Sequence, residues 1–370
     1  MQEDTSRNLS LNVTTQKGIT PEVTKLLEQT IFGTKGKVRY RQKHIVDGMK
    51  SLKNLEFIQI KKGDRLFGTT GVVSRNTTGL APSLNSLYIR YLSINNPFRN
   101  QGKPNQNASR KASRVGTTLK QKIGAEITNH FESPFLEKDQ KGVFYAFVES
   151  ENYNSKELCI TMGFYPQRRV STILFSRFSP KKSELCNEIK ESGMASLKEK
   201  LSEHYSDHSF YFDDQLSDSG SYFVLEKEGK ILAGVRCKPV HWELIEVPGF
   251  SGFLMQKVLP YLPVTNRLFK PKQFSFLAFD YAWTSSDNID YLLEVMEHCC
   301  AAHNINTGMI WCDTEAKIAQ LFQNSGNLGF LNTIRKDVTA EVMMRFIGFE
   351  EREKVELLNK PVFVSASDMT

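Results

Sequence analysis

The sequence predicts an α+β protein built from two tandem units, each a mixed, mostly antiparallel sheet flanked by helices. Three observations lead there. The chain has 370 residues, 40% of them hydrophobic, with 25 Phe; that is enough for two cores and too apolar for a disordered protein. Runs with strand character alternate with runs of helical spacing in both halves. One half also echoes the other. Ile58 to Gly68 reads IQIKKGDRLFG and Val224 to Gly234 reads VLEKEGKILAG. Each is an apolar strand, a charged turn closed by Gly63 or Gly229, and a second apolar strand, which is a hairpin signal. The offset of 166 residues also carries Gly163-Phe164 onto Gly329-Phe330.

Taken in order, residues 1–19 are polar and read as a flexible N-terminus. A helical opening from Pro21 to Phe32 leads to the first hairpin, a strand from Ser86 to Ile94, and a helix from Ser113 to His130 with Val115, Leu119, Ile123 and Ile127 on one face. The apolar strand Val143 to Val148, a helix Ser155 to Met162 and a strand Val170 to Phe178 complete the first unit. Ser179-Pro180-Lys181-Lys182 is a turn and linker signal, so the boundary is placed near residue 182: 20–182 form one domain, and 183–370 a linker helix around Leu197 and Leu201 followed by the second. After its hairpin, the second unit has the strand Phe274 to Tyr281 and the helix Asn288 to His303, with Ile289, Leu292, Leu293, Met296 and Cys300 in one stripe. The strand Met309 to Cys312, the helix Glu315 to Gln323 and the strand Ala340 to Ile347 follow.

Charge is unevenly spread. The chain carries a formal +7, yet no acidic residue lies between Asp64 and Glu126, where Arg65, Arg75, Arg90, Arg99, Lys103, Arg110, Lys111, Arg114, Lys120 and Lys122 contribute ten positive charges. The remainder is slightly acidic, so the bias points to a local site for an anionic ligand. The six cysteines have no CxxC spacing and mostly sit in apolar runs, as expected of buried free thiols in a reducing compartment rather than of disulfides or a zinc site. The N-terminal stretch has no apolar core of a signal peptide, and no segment reaches the ~20 apolar residues of a membrane span. A cytoplasmic protein without a membrane partner is the expectation.

The order of elements resembles that of the GNAT superfamily of acyl-CoA-dependent N-acyltransferases, over about residues 20 to 178 and more weakly over about 195 to 348. In that family, a loop with a leading Gln or Arg and glycines three and five residues later opens a helix and wraps the CoA pyrophosphate. The matching run is Lys111-Ala112-Ser113-Arg114-Val115-Gly116-Thr117-Thr118-Leu119. Lys111 takes the leading basic place, Arg114 that of the first glycine and Gly116 that of the second. A helix N-terminus with unpaired N–H groups favours a phosphate in any case; Gly116 permits close approach, Thr117 offers a hydroxyl, and Lys111 and Arg114 add charge. The departure is Arg114, a guanidinium where the family has a glycine.

The resemblance also implies a role for Asn152, which precedes Gly163-Phe164 at the family spacing and would orient the acyl-CoA chain. Cys159 stands where many members have the tyrosine that protonates the leaving thiolate. Backbone N–H groups near Leu92, Ser93 and Ile94 would polarise the thioester carbonyl. The strand Ser86 to Ile94 holds no carboxylate, so Glu149, just past the apolar run, becomes the candidate general base, with Glu151 behind it. In the second half, Asp287 at the helix entrance would repel a pyrophosphate. That half reads as a degenerate copy supporting the first or forming a wall of the acceptor pocket; the counter-reading is a second site at His241, Trp242 and Asp280.

The function expected is transfer of an acetyl group from acetyl-CoA, or another acyl group from its CoA ester, to an amine of a small molecule or protein, at one working site in the N-terminal half. The alternative is a catalytically silent binding protein that uses the basic zone 65–125 for a polyanion such as nucleic acid, with Tyr88, Tyr91 and Phe98 as stacking platforms. The acyl-CoA reading is favoured because the basic zone contains the candidate pyrophosphate loop.

Overall fold

The computed structural model describes residues 11–78, 83–94, 128, 134–218, 220–262, 265–286, 288–334 and 338–370. The helix expected from Ser113 to His130 lies outside the described residues, apart from Thr128. The strands are β1 Leu11–Lys17, β2 Arg39–Gln42, β3 Leu55–Lys62, β4 Arg65–Asn76, β5 Asn85–Ile94, β6 Gly142–Glu149 and β7 Tyr165–Ser176 in the first half. β8 Cys186–Glu188, β9 Ser221–Lys227, β10 Lys230–Glu246, β11 Phe274–Thr284, β12 Thr307–Asp313 and β13 Val338–Ile347 follow in the second. The helices are α1 Pro21–Gln29, α2 Ile45–Lys50, α3 Tyr153–Thr161, α4 Met194–His204, α5 Gly249–Phe253, α6 Ile289–His303, α7 Lys317–Asn324, α8 Phe330–Ile334, α9 Glu351–Leu358 and α10 Ala366–Met369.

All strands join one sheet in the order β1-β3-β4-β5-β6-β13-β7-β12-β11-β10-β9-β8, with β2 attached to β10. Among the described residues two neighbouring pairs are parallel, β5 with β6 and β11 with β12. The final strand of each half is exchanged: β13 pairs with β6, β7 pairs with β12, and the two exchanged strands pair with each other at the centre. The boundary near residue 182 therefore falls between β7 and β8 in sequence, while hydrogen bonding crosses it.

One N-terminal expectation is corrected. Residues 11–17, placed in the flexible N-terminus, form β1 and pair with β3, Val13 opposite Ile60. Val13, Thr14 and Thr15 are β-branched and suit a strand, and Val13 is buried while Thr14 faces out. A short, polar alternation of this kind carries little signal until an apolar edge receives it.

Burial follows the sheet. One large core, fed by α1, α2 and α4 and by strands of both halves, occupies one face. On the other face, α3 packs Leu158 and Cys159 on the first half, and α6 and α7 cover the second. The six cysteines are free and buried. Among the described residues, no helix is long and apolar enough to cross a membrane.

The duplication is visible in paired irregularities. Both hairpin tips hold a left-handed glycine, Gly63 and Gly229, and both α3 and α7 are followed by one, Gly163 and Gly329. β5 and β11 each carry a bulge in which a tyrosine has positive φ, Tyr91 at 55° and Tyr281 at 48°, beside a register shift against the preceding strand. Tyr91 to Tyr281 is 190 residues, not 166. The segment 247–273 between β10 and β11 is much longer than its counterpart 77–84, and 95–141 in the first half outruns 285–306 in the second. The two differences nearly cancel, which restores the 166 spacing at Gly163 and Gly329.

These two glycines separate backbone strain from steric overlap. A Cβ at Gly163 would meet only the Arg345 side chain, 3.6 Å away, whereas one at Gly329 would overlap the Ser176 carbonyl oxygen. Gly163→Ala should therefore cost about 1–2 kcal/mol, the left-handed penalty alone, and Gly329→Ala distinctly more. Urea denaturation of the two variants measures this, and equal losses would refute the packing assigned to Gly329.

Candidate active site

β5 stays beside β6 only from Asn85, opposite Gly142, to Tyr88, opposite Tyr145. The bulge at Tyr91 then bends β5, as an extra residue in one strand of an antiparallel pair does. Beyond it, the two parallel strands separate, and a cavity of about 980 Å³ opens between them. Cys159, Met162 and Phe164 line it from the α3 face, and Tyr40, Trp242 and Trp311 from the shared core. The cavity thus passes through the sheet, so two reactants can meet from opposite faces.

Five of the expected site residues line this cavity: Leu92, Ser93, Ile94, Glu149 and Asn152. Ser93 Oγ lies 2.7 Å from Thr30 Oγ1, which ties the separated end of β5 to α1. Glu149 ends β6, and its Oε2 accepts a hydrogen bond from Thr34 Oγ1 at 3.0 Å. Glu151 forms an ion pair with Lys37. Asn152 is the N-cap of α3, its Oδ1 accepting from Ser155 N at 3.1 Å; its oxygen serves the helix first, as its residue type favours. Cys159 also lines the cavity, and burial pushes its thiol up to about 12, so it stays protonated near neutrality. Lys111, Arg114, Val115, Gly116 and Thr117 lie outside the described residues.

Tyr40 carries no motif, yet it reaches the cavity because β2, a first-half strand, pairs with β10 of the second half. Its ring stacks on Trp242 at 3.9 Å between centroids and 14° between planes. Burial, with Glu149 nearby, raises its hydroxyl to about 12, so it is a hydrogen-bond donor rather than a base. The segment 368–370 forms another part of the wall. Arg90 donates to the carbonyl oxygens of Ser367 and Thr370, each at 2.6 Å, and the Tyr88 hydroxyl donates to that of Asp368. Arg75 donates to Asp368 Oδ1 at 2.8 Å and pairs with Asp214.

Two of the ten cations that define the basic zone are therefore core residues. Arg75 and Arg90 are buried and bound, and Tyr88 and Tyr91 are buried with them. This removes their share of any surface attraction for a polyanion and leaves neither tyrosine free to stack on bases.

The second half separates its parallel strands in the same way, with a different outcome. The matched bulges align Arg90 with Asp280 and Glu149 with Asp313. Asp280 is buried against Arg236 at 2.6 and 2.7 Å, and also accepts from the backbone N–H of Ala366 at 2.8 Å. Asp313 is gripped by Arg168 through two bonds of 2.9 Å and by the backbone N–H of Val362 at 2.9 Å. Val362, Phe363 and Val364 fill the gap, leaving about 20 Å³. His241 bonds Ser275 on the exposed side, while Trp242 faces the first cavity, so these residues and Asp280 do not form one site.

No family model and no curated protein sequence matches the chain. Solved structures do. Saccharomyces cerevisiae N-myristoyltransferase with bound myristoyl-CoA superposes with a TM-score of 0.54 at 10% identity, covering 96% of this chain and 89% of that one. The same enzyme with myristoyl-CoA and inhibitors gives 0.52 at 11% identity, covering 91% and 81%. A GCN5-related N-acetyltransferase from Anabaena variabilis aligns over 90% of this chain and 72% of its own at 11% identity, with a TM-score of 0.45. With its repeated bulge, separated parallel strands and exchanged final strands, the chain shares the fold of that N-myristoyltransferase, arranged in two tandem halves.

Proposed function

We propose that this protein is an acyl-CoA-dependent N-acyltransferase with a single working site in its first half. The observation that carries the proposal is the cavity through the sheet at the β5 and β6 separation, bordered by both the carbonyl-polarising stretch Leu92 to Ile94 and the carboxylate Glu149. The thioester carbonyl is placed against the backbone of Leu92, Ser93 and Ile94, where N–H groups stabilise charge developing on oxygen. The acceptor amine enters from the shared-core face, and Glu149 takes its proton as nitrogen attacks the carbonyl carbon. Collapse of the intermediate expels the thiolate, with Tyr40 available as a neutral hydrogen-bond donor. Lys111, Arg114, Val115, Gly116 and Thr117 are assigned to the CoA pyrophosphate, and Asn152 to the pantetheine chain. The packed separation in the second half supports the absence of a working site there, and the six free thiols support action in a reducing compartment such as the cytoplasm.

The cavity is at the upper end of the ~300–1,000 Å³ usual for ligand sites, far more than an acetyl group occupies. Its Phe164, Phe147, Trp242 and Trp311 lining favours a longer acyl chain over the acetyl group expected from sequence. The fold neighbour crystallised with myristoyl-CoA supports that preference.

Two measurements test the reading. Calorimetric titration with acetyl-, octanoyl- and myristoyl-CoA should show tighter binding as the chain lengthens, weakened by Gly116→Glu in every case; no binding of any acyl-CoA at millimolar concentration would sink the proposal. Glu149→Gln keeps the shape and removes the base, so kcat should fall by about 10²–10⁴-fold with acyl-CoA affinity unchanged. A kcat within twofold of wild type would take Glu149 out of the chemistry.

A further inference from the structure

We infer that the insertion between β10 and β11 docks the protein on an anionic membrane surface. The insertion, residues 247–273, is what the second half has in place of the short 77–84 connection. From Val247 to Phe279 the sequence holds Lys257, Arg267, Lys270 and Lys272 and no acidic residue. All four cations are exposed, and none meets an acid among the described residues.

The same insertion presents large apolar side chains to solvent. Phe253 is 57% exposed, Tyr261 80% and Leu262 46%. Single exposed apolar residues are ordinary; three within ten positions, in an insertion that also carries four unneutralised cations, have the composition of an interfacial element. Aromatic and aliphatic side chains enter the headgroup boundary while Lys and Arg hold the anionic surface. An element of this kind lies on a bilayer and needs no membrane-spanning helix. Leu262 and Phe253 also set the surface apart from a nucleic-acid site, where cations combine with stacking rings.

The insertion is anchored where it matters. Leu268 and Phe269 are buried at its C-terminal end, and Phe269 and Phe274 line the through-sheet cavity. Docking by this surface brings a lipid-facing patch into contact with the apolar wall of the site. The inference itself is independent of the transfer reaction, and its test uses no activity measurement.

Cosedimentation of the full chain with phosphatidylcholine vesicles, with and without phosphatidylserine, tests it. Wild type should bind only the serine-containing vesicles and leave them as salt rises. Lys270→Ala/Lys272→Ala should lower partitioning about thirty-fold, the share of two surface cations, and Phe253→Ser/Tyr261→Ser should lower it as well. All four side chains are exposed, so both variants should melt with wild type. Failure of wild type to bind, equal binding to neutral vesicles, or binding unchanged in both variants would overturn the inference. So would light scattering that shows a dimer abolished by the same variants, or RNA retention lost with the cations alone.

Discussion

The exchange of final strands is the constraint on which the rest of this structure depends. Because β13 occupies the edge of β6 and β7 that of β12, the two halves share one hydrogen-bonded surface and one large core. Each half is left with a parallel pair whose ends are free to part. The bulges at Tyr91 and Tyr281 supply the bend, and the exchanged strands supply the floor: Thr172 and Leu174 of β7 and Val338 and Ala340 of β13 line the first cavity. Neither half could form that cavity alone.

Equivalent positions then lie in opposite surroundings. Where the first half has Glu149 beside open space, the second has Asp313 saturated by Arg168 and by the backbone of Val362. A buried carboxylate paired through two short bonds is costly to disturb and is not available as a base. The segment 362–370 links the two outcomes. Its first residues pack the second gap, and its last, held by Arg75, Tyr88 and Arg90, form a wall of the first. Buried ion pairs and charged hydrogen bonds thus secure a piece of chain whose own sequence is mostly small and apolar.

Much of this was legible in the sequence. Helical spacing placed α6, and apolar runs placed β5, β6, β11 and β12, because local periodicity reports which face is buried. Glu149 and Leu92 to Ile94 reached the same cavity because strand ends next to an apolar run border the site in this architecture. What escaped the sequence depends on partners distant in the chain. Tyr40 becomes a wall residue through β2 pairing with β10, and Arg75 and Arg90 look like surface cations until Asp214 and residues 366–370 fold against them. The constant repeat offset was partly a cancellation of two unequal insertions, visible only once the bulges gave a second fixed point.

Strand exchange also sets a timetable for synthesis. β6 cannot acquire its neighbour β13 until residues 150–337 have been made, which at about 5–20 residues per second takes roughly 10–40 s. Through that interval Phe144, Ala146 and Val148 belong to an unpaired strand edge, the kind of surface on which nascent chains associate wrongly. A ribosome-bound first half is therefore a natural client for chaperones, and the finished fold is a product of the whole chain rather than of its parts in turn.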